Sequence, residues 1–342
     1  MAKLKICIPD RTFGKWLSIA ALAICGFSQL SFSPWGFHGH REINTLAIYT
    51  LPEGMFGFYK SNADFIRRHA VDPDKRRYSV KGEAERHYID IDHYCHHGDT
   101  ACDPFEEVPR NWFAAVDKFS EDTLHAYGIV PWHVNLMVIQ LTKAFEDRNT
   151  SRILRLSAEL GHYVGDAHVP LHTTENYNGQ LTNQKGIHGF WESRLPELYD
   201  RDYDFFVGRA KYVENPNDFI WDVVEESHYA VDSVLSFEAQ LNAEWPEDKK
   251  YAYEERGVAL VKTYSEEYSR EYHRRLNNQV ERRMKQAVIA LGSLWYTAWV
   301  NAGQPDLEGF KLDVDPEQLE QEIAKETDQP EQEELKTRTH DN

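Results

Sequence analysis

Cysteine, methionine and basic residues are scarce in this 342-residue sequence, which holds 4 Cys, 4 Met and 38 Lys+Arg against 56 Asp+Glu. The formal net charge of −18 argues against a histone-like nucleic-acid coat, although bound cations can still bring phosphate to an acidic protein. An HExxH zinc-protease motif and a Gly-rich phosphate loop are both missing. The length allows one large domain or two small ones.

The N-terminus has the pattern of an export signal. A basic stretch ending at Lys15 precedes the apolar run Trp16–Phe27, which is too short to span a bilayer. We therefore predict a signal peptide over residues 1–34 and an exported protein, periplasmic or secreted, with an N-terminal anchor as the alternative. No other segment is long and apolar enough to cross a membrane.

Two of the four cysteines, Cys7 and Cys25, would leave with this signal. Cys95 and Cys102 remain, seven residues apart in a loop rich in His, Asp and Gly. An even pair in an oxidising compartment predicts one disulfide. The alternative, two zinc-binding thiols, is less favoured because the usual CxxC spacing is missing.

Helical periodicity runs through almost the whole chain, and we find no convincing strand, so we predict an all-α fold. Arg152–His168 has the strongest pattern, with Thr150 or Ser151 as the cap. Residues 303–342 shift to Glu, Gln, Asp and Pro, which predicts a largely disordered acidic tail with at most a short helix over 316–325. The other predicted helices are Asn111–Leu124, Pro131–Phe145, Phe219–Leu241 and, as two helices or one bent helix, Tyr253–Trp299.

Histidine is abundant, with 16 residues, and potential metal ligands are concentrated in a 31-residue stretch. His162 and Asp166 are four residues apart, and so are His188 and Glu192, so each pair projects from one face of a helix. His172 lies between the pairs. Imidazole and carboxylate groups are ligands that zinc accepts, and scattered surface histidines explain this spacing poorly.

These motifs resemble those of the superfamily that joins zinc-dependent phospholipases C with the single-strand-specific zinc nucleases of fungi and plants. The resemblance rests on WGxxxH from Trp35, HYID from His87, HYVGDxxxPLH from His162 and HxxxE from His188, and it covers Trp35 to about Ala302. It implies a single multi-helix phosphodiesterase domain over residues 35–302, with three zinc ions in a cleft.

Carried over residue by residue, the resemblance implies ligands for three zinc ions. One zinc takes Asp72, His87, His162 and Asp166; a second takes His172, His188 and Glu192; a third takes Trp35, His40 and the bridging Asp166. The 15-residue interval to His87 favours Asp72 over the neighbouring Asp74 as ligand. A chain that begins at Pro34 would deprive the third zinc of the Trp35 amine.

The resemblance also implies roles around the metals. Asp166 bridges two of them, Asp72 orients or deprotonates the attacking water, and Lys75 or Arg76 stands where the nucleases place a phosphate-binding cation. Zinc would turn this water into a hydroxide nucleophile at neutral pH. In a nuclease, the substrate-binding residues would be Tyr88, Asp90 and Asn178.

The substrate stays open between a phospholipid headgroup, cut by a phospholipase C, and single-stranded nucleic acid, cut by an endonuclease. Glu192 as the last ligand favours the phospholipase branch, whereas the WGxxxH spacing favours the nuclease branch. No stable protein partner is implied. Two other hypotheses are a non-catalytic, zinc-stabilised binding protein on the same scaffold and a helical partner-binding protein whose histidines are incidental.

Overall fold

Helices form most of the protein, in agreement with the predicted all-α class. A computed structural model describes residues 36–95, 102–256, 259–310 and 316–327. The proposed signal peptide, Trp35 and residues 328–342 lie outside these ranges. The α-helices are α1 (Gly36–Ile48), α2 (Glu53–Ser61), α3 (Ala63–His69), α4 (Asp72–Arg76), α5 (Pro104–Glu107), α6 (Trp112–Phe119), α7 (Glu121–Tyr127), α8 (Val130–Glu146), α9 (Thr150–Ala167), α10 (Leu195–Tyr199), α11 (Pro216–Glu244), α12 (Glu266–Arg275), α13 (Gln279–Asn301) and α14 (Pro316–Thr327).

Short irregular helical turns connect several of these helices and carry part of the site. The segment Gly189–Arg194 is a single wide π-helical turn, a form that often occurs at functional sites. The 3₁₀ turns are Ala84–His87, Ile91–Tyr94, Pro170–Thr173, Asp200–Asp202 and Glu247–Lys249. The described residues fall within one unit, 34–342, and none of their helices is both long and apolar enough for a membrane span.

The central helix is α9, which packs against α1, α3, α8, α11 and α13. Its N-terminus is capped by Asn149, whose side chain accepts a hydrogen bond from the Arg152 amide at 2.8 Å, so the predicted cap at Thr150 or Ser151 was wrong by one or two residues. The helix ends just before Pro170, as predicted.

Two glycines of α9 allow α1 to approach closely. A Cβ atom on Gly161 would lie 1.8 Å from Asn44 Oδ1, and one on Gly165 would lie 2.7 Å from His40 Nδ1. Since real side chains cannot come so near, only glycine fits at these two positions. The close approach places His40 of α1 beside the polar face of α9.

The predicted Asn111–Leu124 helix is not continuous, and the predicted Tyr253–Trp299 pair of helices, α12 and α13, starts later than expected. The Asn111–Leu124 helix breaks at Ser120, which has φ 71° and whose hydroxyl caps α7 through the Thr123 amide. The predicted helix from Tyr253 begins instead with an antiparallel hairpin, β1 (Tyr251–Arg256) paired with β2 (Ala259–Tyr264). Its Tyr251 pairs with Tyr264, and aromatic residues favour strands.

The acidic tail contains the short helix that the sequence allowed at residues 316–325, and this helix packs against the domain. Leu319 and Ile323 of α14 are buried, and α14 contacts α4. Glu320 pairs with Arg68 at 2.8 Å and with His69 at 3.3 Å. The apolar pair four residues apart supplies the contact that a purely acidic segment would lack.

The predicted disulfide is confirmed. The sulfur atoms of Cys95 and Cys102 lie at bonding distance, and their Cα atoms are 5.8 Å apart. The bond follows the 3₁₀ turn Ile91–Tyr94 and closes the loop that comes before α5. A thiolate zinc site at these two residues is therefore not needed to explain them.

Candidate metal centre

Histidine and carboxylate side chains converge where α9 meets α1 and the turns around it. His162 and Asp166 occupy one face of α9 because they are four residues apart. His40 comes from α1, His87 from a 3₁₀ turn, and Asp74 from the short helix α4. Almost all of these groups are buried, so the polar atoms need partners within the protein.

The first cluster consists of Asp74, His87, His162 and Asp166. His162 Nε2 lies 3.1 Å from His87 Nδ1, 3.5 Å from Asp74 Oδ1 and 3.4 Å from Asp166 Oδ2. His87 Nδ1 lies 2.9 Å from Asp166 Oδ2 and 3.8 Å from Asp74 Oδ1. Asp74, His87 and His162 offer ligand atoms close enough together to share one metal ion, and Asp166 adjoins them.

Asp74 belongs to this cluster and Asp72 does not, which corrects the prediction from the interval to His87. Asp72 Oδ2 is bonded to His69 Nδ1 at 2.5 Å, and Asp72 Oδ1 accepts from Lys75 Nζ at 2.7 Å. The two aspartates lie on the same short helix, where residues two apart point in different directions. Only Asp74 faces His87 and His162.

The second cluster consists of His172, His188 and Glu192, as the sequence predicted. Glu192 Oε2 lies 2.7 Å from His188 Nε2 and 3.5 Å from His172 Nε2. The pair His188–Glu192 is carried by the π-helical turn instead of an ordinary α-helix. The clusters are neighbours, because His172 Nδ1 lies 3.8 Å from Asp166 Oδ1.

A third group includes His40, whose Nε2 lies 3.4 Å from Asp166 Oδ1. The His40 ring contacts the His162 ring with centroids 3.9 Å apart and the ring planes tilted by 32°. His40 Nδ1 has no hydrogen-bond partner among the described residues. Trp35, the other predicted ligand of this group, lies outside the described residues, so the group is seen only in part.

Backbone carbonyls orient three of the clustered imidazoles. The Nδ1 atom of His162 lies 3.0 Å from the Ala70 oxygen, and that of His172 lies 2.6 Å from the His87 oxygen. His188 Nδ1 lies 3.2 Å from the Tyr177 oxygen. A ring that donates through Nδ1–H keeps the Nε2 lone pair for a metal, and such outer partners are typical of metal-ligating histidines.

The charge of the clusters suits a bound cation. Asp166 and Glu192 are buried, and Asp74 is partly buried; among the described residues the only ion-pair partners of all three are histidines. Burial raises the pKa of each carboxyl, but the nearby imidazoles outweigh it and leave the pKa lowered. Two buried carboxylates and one partly buried carboxylate, none with a Lys or Arg partner among the described residues, are compatible with bound divalent metal, which compensates such charge.

The predicted phosphate-binding cations hold other partners. Arg76 is buried, and its guanidinium donates to Glu83 at 2.7 Å and to both oxygens of Glu159 at 2.8 and 2.9 Å. Such a bidentate pair uses the donors that a phosphate would need, so the prediction for Arg76 was wrong. Lys75 is bonded to Asp72, and within the described chain no contact joins it to the clusters.

The predicted substrate-binding residues are also buried. Tyr88 is 4% exposed and packs against Gly128, so its ring presents no open face for a base to stack on. Asp90 is 7% exposed, and its amide donates to the Tyr127 oxygen. Asn178 Oδ1 accepts from the amides of Gly186 and His188, so this residue shapes the loop of the second cluster.

The sequence patterns did not identify Glu83, which lies next to His87 on the side of the ring that faces away from the first cluster. Glu83 Oε1 lies 3.8 Å from His87 Nε2, the ring nitrogen that faces away from the cluster. Arg76, Arg86 and the Tyr163 hydroxyl all donate to Glu83 and fix its position. The signal was present, since Glu83 precedes His87 by four residues, the spacing already used for the other pairs.

No protein-family model matches this chain, and no curated protein matches it. The family resemblance drawn from the motifs therefore remains a prediction.

Proposed function

We propose that this protein is an exported, zinc-dependent hydrolase of phosphodiester bonds. The observation that supports the proposal is the pair of adjoining clusters, in which three carboxylates and four histidines lie together with no lysine or arginine paired to the carboxylates among the described residues. A structural zinc site is usually closed by four ligands, so a set this large favours a multinuclear catalytic centre.

The residues that would hold the metals are divided between the clusters. Asp74, His87 and His162 would hold one zinc, while His172, His188 and Glu192 would hold a second. Asp166 lies between the first set and His40, and it would bridge the first zinc and a third one held in part by His40. When bound, zinc supplies Lewis-acid chemistry, polarising the phosphodiester and making water acidic enough to attack at neutral pH.

The protein groups then order the reactants. The Asp74 side chain is 21% exposed, more than Asp166 or Glu192, so the first cluster meets solvent at this carboxylate. Asp74 would accept a hydrogen bond from the attacking water and so orient it toward the phosphodiester. The role that the sequence analysis gave to Asp72, orienting or deprotonating the attacking water, is therefore proposed for Asp74.

The substrate class is a phosphodiester, either a phospholipid headgroup or single-stranded nucleic acid. The burial of Tyr88 and Asp90 takes away the base-binding platform that favoured a nuclease. The acidic charge of the whole chain is compatible with either substrate, because bound metal reverses the local field.

Metal analysis combined with activity tests the proposal. The purified, N-terminally sequenced protein is expected to hold at least two zinc ions and to hydrolyse phosphatidylcholine or single-stranded DNA, with activity lost in chelator and restored by zinc. Asp166→Asn is expected to abolish hydrolysis while circular dichroism stays unchanged. Wild-type protein without zinc, or Asp166→Asn with wild-type turnover on both substrates, would falsify it.

A further inference from the structure

A groove of about 640 Å³ lies apart from the metal clusters, between α6, α7 and α8. Trp132 and Ile129 are nearly buried in its walls, while Phe113 is 75% exposed and Leu136 is 47% exposed. Pockets that take small molecules have volumes of roughly 300–1,000 Å³ and mainly apolar walls. None of the proposed metal ligands lines this groove.

The apolar residues of the groove are not explained by packing of the described chain. Leu136 and Ile139 of α8 are 47% and 59% exposed, although the opposite side of this helix already supplies buried residues to the core. Trp112 meets Trp132 edge-on with ring centroids 5.5 Å apart. The result is an aromatic and aliphatic wall open to solvent, and such a patch typically marks a binding site.

The polar lining of the groove carries one sign of charge. Arg86 and Arg110 line it, whereas no aspartate or glutamate does, in a chain of net charge −18. Arg86 donates from Nη1 to Glu83, and Arg110 donates from Nη1 to Asp222, while carboxylate oxygens of Asp218 and Glu225 lie 3.8 and 3.7 Å from the Arg110 guanidinium. A guanidinium has five N–H donors, so each arginine keeps donors for a ligand.

The groove is separated from the metal centre by a buried tyrosine. The ring of His133, which lines the groove, lies edge-on to Tyr163 with centroids 4.5 Å apart. On its other side Tyr163 meets His87 of the first cluster at 5.4 Å. A ligand in the groove therefore does not touch the metal ligands, which makes this a second site.

We propose that the groove binds an amphipathic organic anion, a carboxylate attached to an apolar body. The apolar body would cover Trp112, Trp132 and the α8 side chains, and the carboxylate would accept hydrogen bonds from the arginines. Charge-assisted hydrogen bonds from guanidinium to carboxylate are the strong ones, and burial of the body adds the hydrophobic contribution.

Decanoate, below its aggregation concentration, is the probe for this site. Tryptophan fluorescence and isothermal titration of the zinc-loaded protein are expected to show saturable binding at one site. Acetate, which has the charge without the body, and decyltrimethylammonium, which has the body with the opposite charge, are expected to bind at least 10-fold more weakly. Equal binding of the cation, or no saturable binding of decanoate, would overturn the proposal.

Substitutions at two exposed positions test whether decanoate binds in the groove. Phe113→Glu and Leu136→Glu add a negative charge on opposite walls without disturbing the core, and each is expected to weaken decanoate binding at least 10-fold. Phe206→Glu is the matched control, because Phe206 is 88% exposed and lies outside the groove. If the groove variants bind decanoate as the control does, the carboxylate is held elsewhere and the proposal is wrong.

Discussion

Replacing the two neighbouring aspartates one at a time tests the composition of the first cluster. Asp74→Asn keeps the size of the side chain but removes a charge that lies 3.5 Å from His162 Nε2 and 3.8 Å from His87 Nδ1. Asp72→Asn makes the same chemical change two residues away, where the carboxylate is bonded to His69 and Lys75. The two substitutions make the same chemical change, but only the Asp74 carboxylate faces the cluster.

Asp74→Asn is expected to lose metal affinity, whereas Asp72→Asn is expected to lose folding stability. Mutation of a residue that only supports a ligand typically costs 10–100-fold in metal affinity, so loss of a ligand is expected to cost more than about 100-fold, or about 2.8 kcal/mol. Asp72→Asn breaks buried charge-assisted hydrogen bonds and is expected to cost about 1–3 kcal/mol of folding free energy. It should leave zinc affinity within a few fold of wild type.

Competition with a chromophoric chelator measures the zinc dissociation constants, and urea unfolding in excess chelator measures the stability of the zinc-free proteins. Asp74→Asn is expected to lose one zinc and most hydrolytic activity while it unfolds near the wild-type urea midpoint. Asp72→Asn is expected to keep its zinc and unfold earlier. The reverse pattern, zinc lost from Asp72→Asn and kept by Asp74→Asn, would refute the assignment of the ligand.

Three further predictions follow from the helices around the site. Glu83→Gln removes the negative charge 3.8 Å from His87 Nε2 and is expected to weaken zinc binding about 10-fold, and unchanged chelator competition would contradict that role. Arginine contacts outweigh burial and lower the pKa of Glu159 from 4.5 to about 2. The ionised Glu159 therefore contributes roughly 3 kcal/mol to the free energy of unfolding, complete above pH 4.5 and lost as pH falls toward 2. The urea midpoints of wild type and Glu159→Gln should converge over that range. Gly161→Ala, whose Cβ would lie 1.8 Å from a buried oxygen, is expected to cost about 1–3 kcal/mol or more in urea unfolding, whereas Gly57→Ala, with open space around it, should not destabilise.

Local sequence patterns predicted the helical fold and many of the residues that cluster at the site. The i, i+4 pairs His162–Asp166 and His188–Glu192 both converge on the centre, because helical spacing fixes which side chains share a face. The same reasoning overlooked the β1–β2 hairpin, since six-residue strands leave too short a pattern to distinguish from a helix turn.

The type of a residue did not predict whether its side chain is buried or open to a substrate. Arg76 and Tyr88 have the chemistry of a phosphate-binding cation and a stacking ring, yet the chain places Arg76 against Glu159 and Tyr88 against Gly128. Which partner a side chain meets depends on residues distant in sequence, such as Glu159, 83 positions beyond Arg76. Exposure to a substrate is therefore a tertiary property.

The sequence by itself determined the helical class, the cysteine pair and the histidine and carboxylate groups that gather at the centre, because spacing along a helix and residue chemistry are local. Only the tertiary structure decided between Asp72 and Asp74, since the backbone of α4 turns one carboxylate toward His162 and the other toward His69. It also created the groove beside α8, whose arginines and aromatic residues come from separate segments of the chain.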